Sequence, residues 1–166
     1  MRRLWRYRWL TASIGTILTL TLLWYFVLKN VAAYRDISLA PGTTVTQDFW
    51  TNYGGFYTLG IQAQRKFPHE ELQCLLGIND ESGVKDCAET RLRYSWVLTC
   101  DHGKVRYSGT SEKILGGAYA EDWMETEFAG FEAKRWEWCQ LKINFIDASP
   151  LLSRTNPKLN IYTELF

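Results

Sequence analysis

Residues 91–109 have the sequence RLRYSWVLTCDHGKVRYSG, and this stretch decides the fold class. It contains two runs rich in β-branched and aromatic residues, separated by Asp101-His102-Gly103. Two such runs around a compact turn that contains glycine are typical of a β-hairpin. We therefore predict two antiparallel strands here and a mainly β domain around them.

Other segments show the two-residue period of a half-buried strand. In residues 136–145, Cys139 and the next three alternate residues form an apolar face, and Trp136 and Trp138 lie on the opposite face. About seven short strands with turns between them indicate an antiparallel β-sandwich, either immunoglobulin-like or jelly-roll-like. The further strand-like segments are residues 57–64, 124–128 and 158–165.

Residues 68–77, PHEELQCLLG, have a helical pattern instead. A proline and two glutamates begin the segment, three leucines share one helical face, and Gly77 follows them. The sequence therefore predicts one short helix. Residues 110–120, which include Gly116 and Gly117, predict a loop.

The N-terminal segment has the pattern of a membrane anchor. Leu10–Leu28 is a run of 19 uncharged residues, which at about 1.5 Å per residue can cross the hydrocarbon core of a bilayer. Four arginines precede the run, so the positive-inside rule places the N-terminus in the cytoplasm. The expected order is a cytoplasmic basic N-terminus (1–9), a transmembrane signal anchor (10–28), a linker (29–43) and a periplasmic β-sandwich domain (44–166).

A cleaved signal peptide is the alternative for this segment, because Val31-Ala32-Ala33 could serve as a cleavage site. The apolar region of a secretory signal is usually about 7–15 residues long. The run here is longer, so we expect an uncleaved anchor in the bacterial inner membrane.

One face of the predicted anchor consists of small residues, namely Ala12, Gly15, Thr16 and Thr19. Small residues let the backbones of two membrane helices approach closely. This face could therefore associate with another transmembrane helix, or it could simply moderate the hydrophobicity of the anchor.

Charge is distributed unevenly along the chain. Residues 1–35 contain six basic and no acidic residues, which leaves 13 basic and 18 acidic residues in the rest. Binding to nucleic acid requires cations that replace the counterions of phosphates. The acidic body therefore argues against a nucleic-acid partner.

Four cysteines follow the predicted anchor: Cys74, Cys87, Cys100 and Cys139. An even number of cysteines in an oxidising compartment favours disulfides. Three connectivities are possible, and we favour Cys74–Cys87 across a polar loop and Cys100–Cys139 between strands. No CxxC pair is present, which argues against a metal site and against redox catalysis.

The sequence lacks the motifs of the common enzyme classes, including GxSxG, HExxH, the P-loop and GxGxxG. The two histidines, His69 and His102, fall at a helix start and in a turn, where a solvated role is expected. We therefore predict a protein that is not an enzyme and that needs no cofactor or metal.

Residues 119–138 combine six acidic with six aromatic residues. Strand alternation directs Trp136 and Trp138 outward if Cys139 faces the core. Outward tryptophans favour a partner protein, a sugar chain or the membrane surface, or a cover formed by another element of the fold. The predicted binding residues are Trp123, Trp136, Trp138, Glu121, Asp122, Glu125 and Glu127. The negative charge of the four acidic residues would suit a basic protein partner.

The layout, together with the phrases APGTTVTQDFW (40–50), YTLGIQAQ (57–64) and NPKLNIY (156–162), resembles small Gram-negative periplasmic β-sandwich proteins anchored in the inner membrane. These are uncharacterised or immunity-type families. The resemblance implies a periplasmic interaction protein that neutralises a toxin or supports an envelope complex. A carbohydrate- or peptidoglycan-binding module is the alternative function, and an enzyme comes third.

Overall fold

The computed structural model describes residues 2–23, 31–52, 54–78, 91–101, 103–111 and 115–163. Within these ranges the chain forms two α-helices and nine β-strands. The helices are α1 (Arg2–Leu23) and α2 (His69–Leu76), and a short 3₁₀ helix covers Leu152–Thr155. The strands are β1 (Val31–Asp36), β2 (Thr44–Trp50), β3 (Gly55–Gln64), β4 (Arg93–Cys100), β5 (Lys104–Thr110), β6 (Gly116–Tyr119), β7 (Trp123–Ala133), β8 (Trp138–Asp147) and β9 (Lys158–Thr163).

The described strands form two antiparallel sheets. The first sheet has the order β1-β9-β3-β7-β6 and the second has the order β2-β8-β4-β5. The prediction of a mainly β fold with antiparallel strands is therefore confirmed, with nine strands in the described ranges where about seven were expected. Most neighbouring strands are far apart in sequence, so the fold depends on long-range pairing.

The hydrophobic core lies between the two sheets. Phe49 of β2 packs edge-on against Phe131 of β7 with ring centres 6.2 Å apart, and Tyr94 of β4 lies 5.4 Å from Phe128 of β7. Each pair joins one sheet to the other. The predicted apolar face of β8 contributes four fully buried side chains to this core: Cys139, Leu141, Ile143 and Phe145.

The predicted hairpin and the predicted helix are both present. Strands β4 and β5 pair from Ser95–Thr110 to Cys100–Lys104. Helix α2 buries Leu72, Leu75 and Leu76. It ends at Gly77, whose φ of 76° is the left-handed conformation that glycine adopts without strain.

Two edge strands lie where the sequence predicts no strand. β1 occupies residues 31–36 of the predicted linker and pairs with β9, and β6 occupies residues 116–119 of the predicted loop and pairs with β7. Neither strand has the alternating pattern of a buried face, since β1 reads VAAYRD and β6 reads GGAY. Both form because another strand supplies hydrogen-bond partners: β9, far along the chain, pairs with β1, and the next strand, β7, pairs with β6. The apolar periodicity of β1 and β6 themselves does not record this pairing.

Helix α1 covers the first part of the predicted anchor, and residues 24–28 of that anchor lie outside the described residues. Among the helices in the described ranges, none has both the length and the apolar character required to cross a membrane.

The disulfide predicted between strands is present. Cys100 of β4 and Cys139 of β8 are directly opposite each other in the sheet, with a Cα–Cα distance of 4.2 Å. Cys74 is also disulfide-bonded. Its predicted partner Cys87 lies outside the described residues.

Candidate functional site

Three exposed tryptophans lie where β2 ends and β8 begins. The exposed fractions are 50% for Trp50, 55% for Trp136 and 44% for Trp138. Trp138 therefore lies on the outer face of β8, as strand alternation predicts. Trp136 is exposed too, but it precedes β8 and its exposure does not come from strand alternation. We call these three residues the tryptophan surface.

Trp50 and Trp138 form a pair across the second sheet. They occupy opposite positions of the β2–β8 ladder, and their rings meet edge to face with centres 4.9 Å apart. Edge-to-face contact is a favourable arrangement for two aromatic rings. Sequence reasoning did not include Trp50 among the site residues. A signal for Trp50 was present in the sequence. Val45, Gln47 and Phe49 alternate with polar residues before Trp50, and this pattern indicates a strand that ends at the tryptophan.

Trp136 lies in the turn between β7 and β8, and its backbone is strained. Its φ of 60° is the left-handed conformation, which is unusual for a bulky side chain. The backbone N–H of Trp136 donates to the carbonyl of Thr51 at 2.7 Å. A strained backbone persists only where its surroundings fix it, and such positions cluster at functional sites.

Thr51 is the residue that fixes this turn. It is completely buried, and its hydroxyl donates to the Lys134 carbonyl at 2.6 Å and accepts from the Glu137 N–H at 2.9 Å. Thr51 therefore contacts three residues of the turn, namely Lys134, Trp136 and Glu137. A single threonine at the end of β2 thus sets the conformation of the residues that present Trp136.

An ion pair closes the same turn. The buried carboxylate of Glu137 binds the Arg106 guanidinium at 2.6 Å and accepts from the Lys134 N–H at 3.1 Å. The hydrogen bond to Glu137 raises the pKa of Arg106 above its usual value. On the outside of the turn, the Arg135 guanidinium lies 5.4 Å from the centre of the Trp136 ring, within the range of a cation–π contact.

Glu137 also lies close to the sulfurs of Cys100 and Cys139. Three such groups could bind a metal only if both sulfurs were thiolates. Here the sulfurs are joined in a disulfide and the carboxylate is bound to Arg106. The arrangement supports a structural role and offers no ligand set for a metal.

The acidic residues predicted for this surface lie elsewhere. Glu121 and Asp122 are exposed beside the half-buried Trp123, at the start of β7. Trp136 follows the end of the same strand, which is 11 residues long and therefore spans about 30 Å. The structure therefore separates Trp123 and its acidic neighbours from Trp136 and Trp138, which the sequence had predicted to share one surface.

Glu125 is buried, which corrects the prediction that it contributes to an exposed acidic field. Its side chain lies across Gly60 of β3, where any Cβ would meet the carboxylate, and it accepts hydrogen bonds from Asn160. Burial raises the pKa of Glu125 to about 7; the Asn160 hydrogen bond opposes the shift and the nearby Glu127 adds to it. Half-buried Glu127 accepts a hydrogen bond from the Tyr162 hydroxyl at 2.8 Å.

No protein-family model and no curated protein sequence matches this chain. The fold is similar to the crystal structure of a protein from Sulfurospirillum deleyianum. The TM-score is 0.59 and the sequence identity is 13%, over 81% of this chain and 98% of that one. At this identity the similarity concerns the fold and carries no residue roles.

Proposed function

We propose that this chain is a single-pass protein of the bacterial inner membrane whose β domain lies in the periplasm and binds a protein partner. The observation that carries the proposal is the left-handed, rigidly held Trp136, exposed at one end of the domain where Trp50 and Trp138 also lie. The two forms of this function that we consider are neutralisation of a toxin and support of an envelope complex.

The tryptophan surface has the chemistry of a protein interface. Tryptophan and arginine are enriched among the residues that contribute most to binding energy. Trp50, Trp136 and Trp138 are rigid aromatic groups, and Arg135 adds a cation beside one of them. Because Glu125 and Glu127 lie on the other sheet, the proposal rests on aromatic contacts and not on attraction of a basic partner.

Helix α1 supports the proposed anchor through its exposed apolar side chains and its hydroxyl groups. Side chains such as Ile17 and Leu20 are 60% exposed or more. The hydroxyls of Thr16, Thr19 and Thr21 each donate to the carbonyl four residues earlier, at 2.8–2.9 Å. A hydroxyl bonded within its own helix can enter hydrocarbon without an unsatisfied polar group. Because the hydroxyls of Thr16 and Thr19 are already bonded within α1, association with another helix through Ala12, Gly15, Thr16 and Thr19 would depend on close packing of the two helix backbones and not on hydrogen bonds between the helices.

The strand order supports a jelly-roll-like arrangement over an immunoglobulin-like one. The order β1-β9-β3-β7 faces the order β2-β8-β4-β5, so successive strands largely alternate between the sheets. That alternation is typical of a jelly roll, and β6 then extends the first sheet at one edge. Jelly rolls serve many functions, so the proposal depends on the surface and not on the fold.

The test uses the full chain purified in detergent with the protein that co-purifies with it. We expect Trp138→Ala to weaken binding of that protein by about 30-fold or more, which corresponds to about 2 kcal/mol at a central aromatic contact. Tyr119→Ala is the matched control, since Tyr119 is 69% exposed and belongs to the other sheet. Binding that is unchanged in Trp138→Ala, or reduced equally in Tyr119→Ala, would overturn the proposal. Thermal melting of both variants must show that the domain still folds.

A further inference from the structure

A polar cleft lies on the outer face of the first sheet, away from the tryptophan surface. Its larger part has a volume of about 430 Å³ and is lined by residues that include Asp36, Gln64, Asn156 and Lys158. A smaller part of about 80 Å³ shares Gln64, Asn156 and Lys158 and extends to Trp123. The larger volume is within the range of about 300–1,000 Å³ in which small-molecule sites fall.

Side-chain amides line this cleft, and each makes one hydrogen bond to a neighbouring side chain. The Asn156 amide donates to the Gln64 amide oxygen at 2.8 Å, and the Tyr34 hydroxyl donates to the amide oxygen of Gln62. These bonds use one end of each amide. Among the described residues, the nitrogens of Gln62 and Gln64 and the oxygen of Asn156 have no hydrogen-bond partner, so donors and an acceptor are free to bind a ligand.

The backbone also fixes Asn156. It follows the 3₁₀ helix with a φ of 48°, a left-handed conformation that asparagine tolerates better than most residues. Its amide therefore projects from a constrained position next to Pro157. A backbone that already has its bound conformation reduces the entropic penalty of binding.

The cleft is lined by two carboxylates, Asp36 and Asp122, and by the ammonium group of Lys158. The Lys158 ammonium lies 3.8 Å from the Asp36 carboxylate and 4.7 Å from the centre of the Tyr34 ring. Asp122 adds a second exposed carboxylate in the smaller part. The two carboxylates repel an anion, and the Lys158 ammonium, which lines both parts of the cleft, repels a cation. The lining therefore suits a neutral ligand that carries both donors and acceptors.

We propose that this cleft binds a neutral saccharide. The hydroxyl groups of a sugar ring both donate and accept, which matches the free ends of Gln62, Gln64 and Asn156. The half-buried Trp123 in the smaller part supplies an apolar surface for the carbon face of the ring. This site is separate from the tryptophan surface, and the two ligands could be held at once.

The test is a titration of the full chain with triacetylchitotriose and with cellotriose. Binding is measured by calorimetry and by saturation-transfer NMR. The chain is kept in a phosphocholine detergent, because a glycosidic headgroup would compete for the cleft. We expect saturable binding of at least one trisaccharide. Gln64→Ala and Asn156→Gly should each weaken it about tenfold, as expected when a hydrogen-bonding group of the site is removed. Glycine is used at position 156 because it keeps the left-handed backbone.

Gln140→Ala is the matched control, since Gln140 is an exposed glutamine on the outer face of the second sheet. It should change the affinity less than twofold. The proposal is overturned if neither trisaccharide binds saturably, or if Gln64→Ala and Asn156→Gly bind as wild type does. An equal loss in Gln140→Ala would overturn it too. Tighter binding of trigalacturonate than of the neutral trisaccharides would overturn the assignment to a neutral ligand.

Discussion

At the scale of single residues, the buried carboxyl of Glu125 makes the stability of the domain depend on pH. Its pKa is about 7 in the folded protein and 4.5 when exposed. Between these values the folded state binds more protons than the unfolded state, so the free energy of unfolding decreases as pH rises. The stabilisation that comes from proton binding to Glu125 is fully present below about pH 4.5 and is lost as the pH rises through about 7. The shift corresponds to about 3 kcal/mol.

Glu125→Gln tests this expectation, because the amide has the shape of the carboxyl and stays neutral. We expect the variant to be more stable than wild type at pH 8 by about 1–3 kcal/mol, and the difference to shrink as pH falls toward 5. Urea unfolding at several pH values measures it. Glu132→Gln, an exposed position on the same strand, is the control. A difference between Glu125→Gln and wild type that does not change with pH would contradict the assignment.

The outward position of Glu125 could be predicted from the sequence, but its burial could not. Alternation with Met124 and Thr126 places the side chain on the outer face of β7, where a carboxylate is normally solvated. Burial depends on Gly60, which leaves room for the carboxyl, and on Asn160, which binds it. Both residues belong to other strands, so no local pattern around position 125 records them.

At the scale of elements, the turn between β7 and β8 depends on the hydroxyl of Thr51. Thr51→Val keeps the shape of the side chain but leaves the Lys134 carbonyl and the Glu137 N–H without this partner. A buried polar group that loses its partner costs about 1–3 kcal/mol. We expect Thr51→Val to destabilise the domain by about 2 kcal/mol and Thr51→Ser to be much less destabilising, as measured by chemical unfolding.

The same variant should release Trp136 from its fixed position. In protein labelled with 5-fluorotryptophan, the ¹⁹F resonance of Trp136, assigned through Trp136→Phe, should shift or broaden in Thr51→Val and return in Thr51→Ser. The resonance of Trp123, about 30 Å away along β7, serves as the internal control. An unchanged Trp136 resonance in a destabilised Thr51→Val protein would mean that Thr51 supports the fold without positioning Trp136.

Elements with a strong local pattern were predictable, and the edge strands β1 and β6 were not. The β4–β5 hairpin, helix α2 and the buried face of β8 each carry their own periodicity, so the sequence predicts all three. β1 and β6 have little apolar pattern and exist through their pairing with β9 and β7. Thr51 carries no signal either, because a buried threonine at a strand end is indistinguishable by sequence from an exposed one.

At the scale of the whole molecule, the two sheets present different chemistry on their outer faces. The second sheet ends in the tryptophan surface, whereas the first carries the amide-lined cleft. The number of strands predicts two layers. The order of the strands within each sheet is not predictable from local sequence, because it depends on pairs such as β3 with β9. Such pairs join residues about 100 positions apart. The division of the predicted acidic and aromatic cluster between the two sheets follows from that order.

Membrane topology decides whether these two faces meet periplasmic partners. Arg2, Arg3, Arg6 and Arg8 precede the uncharged run, and the Cys100–Cys139 disulfide suits an oxidising compartment. Alkaline phosphatase, which is active only in the periplasm, should therefore be active when fused after residue 166, and a fluorescent protein that folds only in the cytoplasm should be dark there. Changing all four arginines to glutamate should reduce the phosphatase signal, because the charge difference that orients the helix is removed. A bright cytoplasmic reporter on the unmodified chain would contradict the proposed topology, and with it the periplasmic location of both proposed binding surfaces.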